Sequence, residues 1–115
     1  MRRGEIWTLA GGQDYAGKPH PAVILQDDSF DATQSITVCG FTTSMAEAPL
    51  FRLYVRPSES NGLRGESRLM VDKITTVPKS KHGARIGRLA DQDLLRLNQS
   101  ELVFLGLAAP ARAES

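Results

Sequence analysis

The residues best placed to do chemistry are polar side chains at the ends of apolar, alternating segments: His20, Thr42, Thr43, Ser44, Ser67, Arg68, Asp72 and Lys73. His20 stands between Pro19 and Pro21, which restrict the backbone on both sides of it. Its imidazole changes charge near pH ~6.5 and can take or give a proton. By themselves these residues permit many readings. There is no G-x-S-x-G turn, no glycine-rich phosphate loop ending in Lys-Ser/Thr and no H-E-x-x-H. Gly11-Gly12 fits neither glycine spacing and reads as a turn. The plain alternatives are a surface histidine, a threonine that satisfies a strand end, and an exposed Asp72–Lys73 ion pair contributing about 0–1 kcal/mol. Met70 and Cys39 read as packing, since no cation adjoins Cys39 in sequence to favour its thiolate.

Cys39 is the only cysteine, so an intramolecular disulfide and a paired-thiolate zinc site are both excluded. His20 and His82 are far apart and lack a carboxylate cluster, so neither a metal nor another cofactor is expected. The longest apolar stretches, such as residues 22–25 and 102–105, are far too short to span a membrane. Glu5 falls where a signal peptide needs its apolar stretch, which predicts a cytoplasmic protein.

Several short strands must position these residues. Residues 5–9 alternate as a half-buried strand, residues 22–26 form an apolar, β-branched run suited to a central strand, and residues 35–42 alternate over their whole length. In the last of these, Ile36, Val38 and Gly40 share one face while Thr37, Cys39 and Phe41 share the other. Gly40 suggests a bulge or a close backbone approach. Residues 51–56 place Arg52, Tyr54 and Arg56 on one side, and residues 57–65 form a polar loop. Residues 67–77 form a further strand or bent strand pair ended by Pro78. Residues 79–88, basic and containing Gly83 and Gly87, read as a mobile connector. Residues 91–107 form a helix: its first turn is acidic, and Leu94, Leu95, Leu97, Leu102, Phe104 and Leu105 fall within one broad half of the wheel. Such an arrangement makes a small β-rich barrel or highly curved sheet with a helical cap, a single domain over residues 1–109 with a flexible tail at 110–115.

A net charge of +1 over 115 residues hides an uneven distribution. Residues 51–90 carry +6, against −3 for residues 1–50 and −2 for residues 91–115. A linear excess of this kind is either a mixed solvated surface or a face that binds a polyanion.

Taken in order, Arg3-Gly4-Glu5-Ile6-Trp7, the run from Gly17 to Asp28 through Pro19-His20-Pro21, Val38-Cys39-Gly40-Phe41-Thr42-Thr43-Ser44, the run from Ser67 to Val77, and Ile86-Gly87-Arg88-Leu89 resemble the MazF/PemK toxins of bacterial type II toxin–antitoxin modules. The likeness covers about residues 2–107. It implies a CcdB/MazF-type fold, an SH3-like β-barrel with a C-terminal amphipathic helix, acting as a homodimer. It also implies a metal-independent endoribonuclease that cuts single-stranded mRNA at short sequences. The expected partner is a cognate MazE/PemI-like antitoxin whose acidic, disordered tail covers the site.

The family's catalytic arginine precedes the proline that opens the second strand, where this chain has His20; its catalytic threonine corresponds to Thr42. In the PemK/Kid branch an Arg-x-Asp on a later strand assists. Asp72 matches the aspartate, Met70 takes the arginine's place, and Arg68 lies two residues earlier on the same strand face. RNA cleavage by its own 2′-hydroxyl needs a base, a cation for the phosphorane and an acid for the leaving 5′ oxygen. The resemblance therefore makes His20, Thr42 and Asp72 the candidate catalytic residues. In this reading His20 works as acid or base with Asp72, Thr42 donates to the phosphate, and Arg68, Lys18 or Lys73 supplies charge. Lys18, Thr43, Ser44, Arg52, Arg56, Ser67, Arg68, Lys73, Lys79 and Lys81, with Arg85, are the candidate RNA-binding residues, and residues 51–90 the electrostatic track. Trp7, Tyr15 and Phe41 are the aromatic residues to consider for base stacking, Trp7 reading more naturally as core.

Two rivals accompany this reading. Losing the arginine could leave an impaired homologue that only binds RNA or antitoxin. CcdB toxins share the barrel but poison DNA gyrase through residues near the C-terminal end; the tail here lacks an aromatic terminus.

Overall fold

Alternating residues form the strands, and the places where alternation breaks decide how the sheet bends. The computed structural model describes residues 1–11, 18–44 and 51–109. Its elements are β1 (Glu5–Leu9), β2 (His20–Ile24), a 3-10 turn (Asp28–Phe30), β3 (Ser35–Thr42), β4 (Arg52–Val55), β5 (Ser67–Pro78), a second 3-10 turn (Lys79–Lys81), β6 (His82–Arg88) and α1 (Asp91–Phe104). The strands pair antiparallel in one six-stranded sheet of order β4-β5-β3-β2-β1-β6. The expected tail at 110–115 and the loop at 12–17, with Tyr15, lie outside the described residues.

Both sheet faces are covered, which is why residues 22–24 read as a continuous apolar run. Ile6, Val23, Cys39, Phe41, Leu69 and Val71 point into the larger cluster with Val55, Leu89 and Leu97. Leu9, Ala22, Ile24, Ile36 and Val38 form the smaller one, flanked by Trp7 and Val77. Phe41 is therefore core, only 4% exposed, and does not offer a stacking surface. Trp7 is half-buried, donates from Nε1 to Glu5 Oε1 at 3.0 Å and meets the edge of His82 at a ring separation of 5.6 Å.

The bulge foreseen at Gly40 exists, and it lies on the neighbouring strand. From Phe41 to Cys39 on β3 there are two residue steps, while their partners on β5, Leu69 and Ile74, are five steps apart. The extra residues bend β5 and open space beside Gly40.

Residues 79–88 are not a mobile connector but the second 3-10 turn and the edge strand β6. Charge misleads here because basic side chains are a common way of protecting an edge strand from unwanted pairing. The two edges, β4 and β6, do not hydrogen-bond to each other, so the sheet is curled rather than closed. The β4–β5 loop reaches across instead: Arg88 N–H donates to Ser60 O at 2.8 Å. That loop is built on a buried side chain. Asn61 Oδ1 accepts from the Ser58 and Leu63 amides at 3.0 and 2.9 Å, and its Nδ2 donates to Arg56 O at 2.9 Å.

Glycine permits the approach. A Cβ at Gly87 would overlap the backbone carbonyls of Asn61 and Ser60, and one at Gly62, whose φ is +71°, would overlap Ile86 O. Gly87→Ala is therefore expected to destabilise the fold by about 1–3 kcal/mol, the cost of overpacking against atoms that cannot rotate away. Urea unfolding measures this, and an unchanged midpoint would show that the loop is not seated on β6.

Helix α1 begins at Asp91 and Asp93, acidic residues that suit the positive end of the helix dipole and that pair with Arg88 at 3.1 Å and Arg96 at 3.0 Å. It ends at Gly106, φ +76°, where Leu107 N–H returns to Leu102 O at 2.8 Å. Its apolar half is only partly used. Leu97 is fully buried and Leu94 half-buried, whereas Leu95, Leu102, Phe104 and Leu105 are exposed.

Candidate active site

Strand register assembles the site. Leu9 on β1 faces His20 on β2, Thr42 on β3 faces Arg68 on β5, and Arg68 faces Tyr54 on β4. The β2–β3 ladder pairs Ile24 with Val38, Val23 with Cys39 and Ala22 with Gly40 and ends there, so His20 at the start of β2 and Thr42 at the end of β3 lie just beyond its last pair, at the same end of the two strands. Directly opposed residues carry their side chains on one face with Cβ atoms about 4.5–5.5 Å apart. Thr42, Arg68 and Tyr54 thus form a row across β3, β5 and β4, with His20 on β2 at the same end of the sheet.

Beside this row, at the β5 bulge, lies a pocket of about 300 Å³ lined by His20, Val38, Gly40, Met70, Lys73, Ile74 and Thr75. Met70, at the position where an arginine was expected from the family pattern, is buried and packs as a wall of the pocket.

His20 is half-buried. Burial disfavours its charged form and pushes its pKa below the ordinary 6.5, with a hydrogen bond to the Lys18 backbone acting the other way. At neutral pH it is mainly a neutral imidazole, a proton acceptor rather than a cation. Thr42 Oγ1 accepts the Ser44 N–H at 3.1 Å. A hydroxyl that accepts at one lone pair keeps its own proton to donate, and this one can donate to an anionic oxygen in front of the row.

Asp72 does not line the pocket. Its two oxygens accept from Arg52 Nε at 2.7 Å and Nη2 at 3.0 Å, a forked pair across the β4–β5 ladder. The Arg52 guanidinium holds the Asp72 carboxyl below the usual carboxylate range, against an upward push from burial. The expected partnership of Asp72 with His20 therefore gives way to one with Arg52. Arg52 in turn is committed to a carboxylate instead of standing open to RNA.

The remaining candidates separate by position. Lys18, Thr43, Ser44 and Arg56 are exposed near the ends of β2, β3 and β4. Lys73 shares the pocket with His20. Ser67 is buried and donates to Gly65 O at 3.1 Å, so it shapes the turn before β5. Lys79 contacts Asp31 at 3.8 Å, and Arg85 pairs with Glu5 at 3.2 Å. Lys79 and Lys81 lead into β6 and Arg85 lies on it, at the sheet edge opposite β4. The basic segment is therefore split between two edges and does not form the single track its linear charge suggested.

Cys39 is fully buried, and burial raises its thiol to about 12, with Glu101 and Asp72 adding to the effect. It packs and does no chemistry. The residues that sequence reasoning missed are those whose role depends on register: the Arg52–Asp72 pair and the interior position of Asn61. Arg52, Tyr54 and Arg56 alternating on one side was the available signal for the first.

Comparison with known proteins gives a consistent result. Residues 2–101 match the family model described as PemK-like, MazF-like toxin of type II toxin–antitoxin system. The chain is 53% identical over 108 residues to a protein named probable endoribonuclease MazF from Mycolicibacterium smegmatis, an alignment covering 94% of this chain and 99% of that one. Among solved structures it is similar to a mycobacterial endoribonuclease in complex with its cognate antitoxin, with a TM-score of 0.77 at 22% identity over 96% of this chain and 99% of that chain. It is also similar to the Mycobacterium tuberculosis toxin MazF-mt6, with a TM-score of 0.75 at 23% identity over 90% and 98%.

Proposed function

The chain belongs to the PemK-like, MazF-like toxin family of type II toxin–antitoxin systems, and from that premise we propose that it is an endoribonuclease whose cleavage centre lies at His20 and Thr42. The observation that carries this reading is that a half-buried imidazole lining a pocket, His20 at the start of β2, and a hydroxyl oriented by the Ser44 amide, Thr42 at the end of β3, stand at the same end of two neighbouring strands.

Residues 1–109 act as one domain, with 110–115 as a tail. The substrate is single-stranded RNA. His20 takes the proton from a ribose 2′-hydroxyl, the 2′ oxygen bonds to phosphorus, and the P–O5′ bond breaks as the leaving oxygen acquires a proton from water. The products are a 2′,3′-cyclic phosphate and a 5′-hydroxyl. Thr42 donates to a non-bridging oxygen as charge accumulates there, and Asp72, ionised and clamped by Arg52, fixes the β4–β5 side of the site. No step requires a metal.

The protein works as a homodimer under the control of a cognate antitoxin, whose acidic tail would meet the exposed Lys18 and Arg56. No helix among the described residues is long and apolar enough to cross a membrane, and a cytoplasmic site of action fits an mRNA substrate. The 53% identity to a protein named as an endoribonuclease favours this reading over a gyrase poison or an antitoxin-only homologue.

Incubation of a long single-stranded RNA with the purified protein in EDTA provides the test. The expected result is cutting at defined short sites that leaves cyclic phosphates. Thr42→Ala should cut about 10²–10³ more slowly, the usual cost of one lost transition-state donor. An uncut RNA, or 5′-phosphate ends, would overturn the assignment.

A further inference from the structure

We propose that a second pocket, between Trp7 on β1 and His82 on β6, receives one nucleobase of the RNA away from the cleavage site. The inference rests on the nuclease reading above and concerns how the bound strand is held, not how it is cut.

Position comes first. Leu9 on β1 pairs with His20 on β2 and with His82 on β6, so the two histidines flank one residue and stand two strand spacings apart, about 10 Å. Trp7, two residues before Leu9 in the regular β1–β2 ladder, faces the same side of the sheet. Its ring meets that of His82 at a centroid separation of 5.6 Å. A single strand held at His20 therefore reaches this pocket within a few nucleotides.

The lining comes second. The pocket holds about 260 Å³ between Met1, Trp7, Lys79 and His82. Both rings are fixed before any ligand arrives. Glu5 Oε1 accepts from the indole Nε1 at 3.0 Å and from the Arg2 N–H at 2.8 Å, and Glu5 Oε2 pairs with Arg85 at 3.2 Å. The polar end of the indole is thus satisfied, and its apolar body is left for stacking. His82 Nδ1 lies 2.5 Å from Lys79 O. A carbonyl oxygen only accepts, so Nδ1 carries the hydrogen and Nε2 of the neutral ring is an acceptor. Lys79 Nζ donates to Asp31 O and has further protons to give. An aromatic surface, an acceptor and a donor around one opening match a flat heterocycle whose rim carries both donors and acceptors. Filling the core does not account for Trp7: Phe41, which does so, is 4% exposed, whereas Trp7 is only half-buried and borders a cavity.

Charge comes third. Lys81, next to His82, and Arg85, the cross-strand partner of Trp7, are exposed on this edge of the sheet. They are far from the pocket at the β5 bulge and take no part in cleavage, but they suit the phosphates on either side of a base seated on Trp7. An acidic peptide would be drawn by the same charges, yet its carboxylates bring neither a ring to the indole nor a donor to His82 Nε2.

Trp7 is the only tryptophan in the chain, so its fluorescence reports on the pocket directly. The probe is a 2′-O-methylated oligonucleotide carrying a mapped cut sequence, which cannot be cut because its 2′ oxygen has no proton to lose. Copies in which each base in turn is removed to leave an abasic sugar are titrated into the parent, His82→Ala and Trp7→Leu. Anisotropy of an end label gives the affinity, and a thermal melt monitors folding. The expected result is quenching of Trp7 on binding. Removing one base, not adjoining the cut, should abolish the quenching and weaken parent binding about 5–150-fold, the range for one base stacked on an aromatic side chain. The same removal should cost far less in Trp7→Leu and His82→Ala, where the contact is already lost. His82 is exposed on the sheet edge, so His82→Ala keeps the test decisive if Trp7→Leu does not fold. Binding that leaves Trp7 emission unchanged, quenching that survives the removal of every base in turn, or an abasic penalty equal in parent and His82→Ala overturns the proposal and leaves the nuclease reading standing. Emission that responds to poly-glutamate and not to RNA makes the pocket a protein site and overturns it as well. A parent that neither binds nor cuts RNA overturns the nuclease reading itself, and this subsite with it.

Discussion

His20→Ala is expected to lower the cleavage rate by about 10²–10⁴ at neutral pH, the range spanned by a positioned general base. The expectation follows from where β2 begins. Pro19 and Pro21 hold the backbone extended around His20, and its pairing with Leu9 on β1 places it on the sheet face that lines the pocket. The pH profile gives a second readout. A base works in its neutral form, and burial sets the pKa of His20 below 6.5. The rate of the parent should therefore be on its plateau at pH 7 and fall as the pH drops through that value, with log(kcat/KM) losing one unit per pH unit on the acid limb. In His20→Ala the residual activity should lack this limb. His20→Arg restores a cation and not a base, so it should remain slow. A silent parent awakened by His20→Arg would reverse the assignment, making His20 the reason for an inactive toxin.

Leu97→Ala is expected to cost about 2–5 kcal/mol, within the range for emptying a leucine-sized space in a packed core. For a domain of this size that corresponds to a fall in Tm of roughly 8–20 °C. Leu97 is the fully buried leucine of α1 and enters the larger cluster beside Val55 and Leu69. The other ties of the helix are polar or partial: Arg3 Nη2 to Asn98 at 2.7 Å, Arg96 Nη1 to Tyr54 O at 3.1 Å, and the tilted Phe51–Phe104 pair at 6.0 Å. Leu95, 57% exposed, serves as the control; Leu95→Ala should stay within about 0.5 kcal/mol of the parent. Equal melting temperatures for the two variants would show that α1 is not anchored through Leu97.

The strands were legible because alternation is a local property. Residues 5–9, 35–42 and 67–77 could be placed without knowing their partners, and Gly40 announced an irregularity from its own strand. What alternation cannot supply is register. Arg52 and Asp72 look like two independent charges in sequence, one for RNA and one for His20, and become a single forked pair only when β4 lies on β5. Arg68 could be assigned to a strand face but not to a place opposite Thr42. The charge of residues 51–90 misled for the same reason, since the chain passes from β5, next to one edge, through the turn holding Lys79 and Lys81 to β6 at the other edge. In residues 79–88, glycine and charge suggested looseness where they serve an edge strand and a close backbone approach. On α1 the apolar periodicity was real, but periodicity does not say how much of a face the sheet can cover.

The β5 bulge also constrains which changes of length the gene can tolerate. Before it, Arg68 and Met70 face the same side as Thr42 and Gly40; after it, Thr75 and Val77 face that side, opposite Val38 and Ile36. The strand changes parity once, so it can set Arg68 opposite Thr42 at one end and contribute a wall of the smaller cluster at the other. Removing or inserting a single codon between residues 70 and 74 would exchange inside and outside for everything on one side of the lesion. Changes in steps of two would preserve the facing. Across natural variants, β5 should therefore vary freely in residue identity at its exposed positions while its length changes by even steps or not at all.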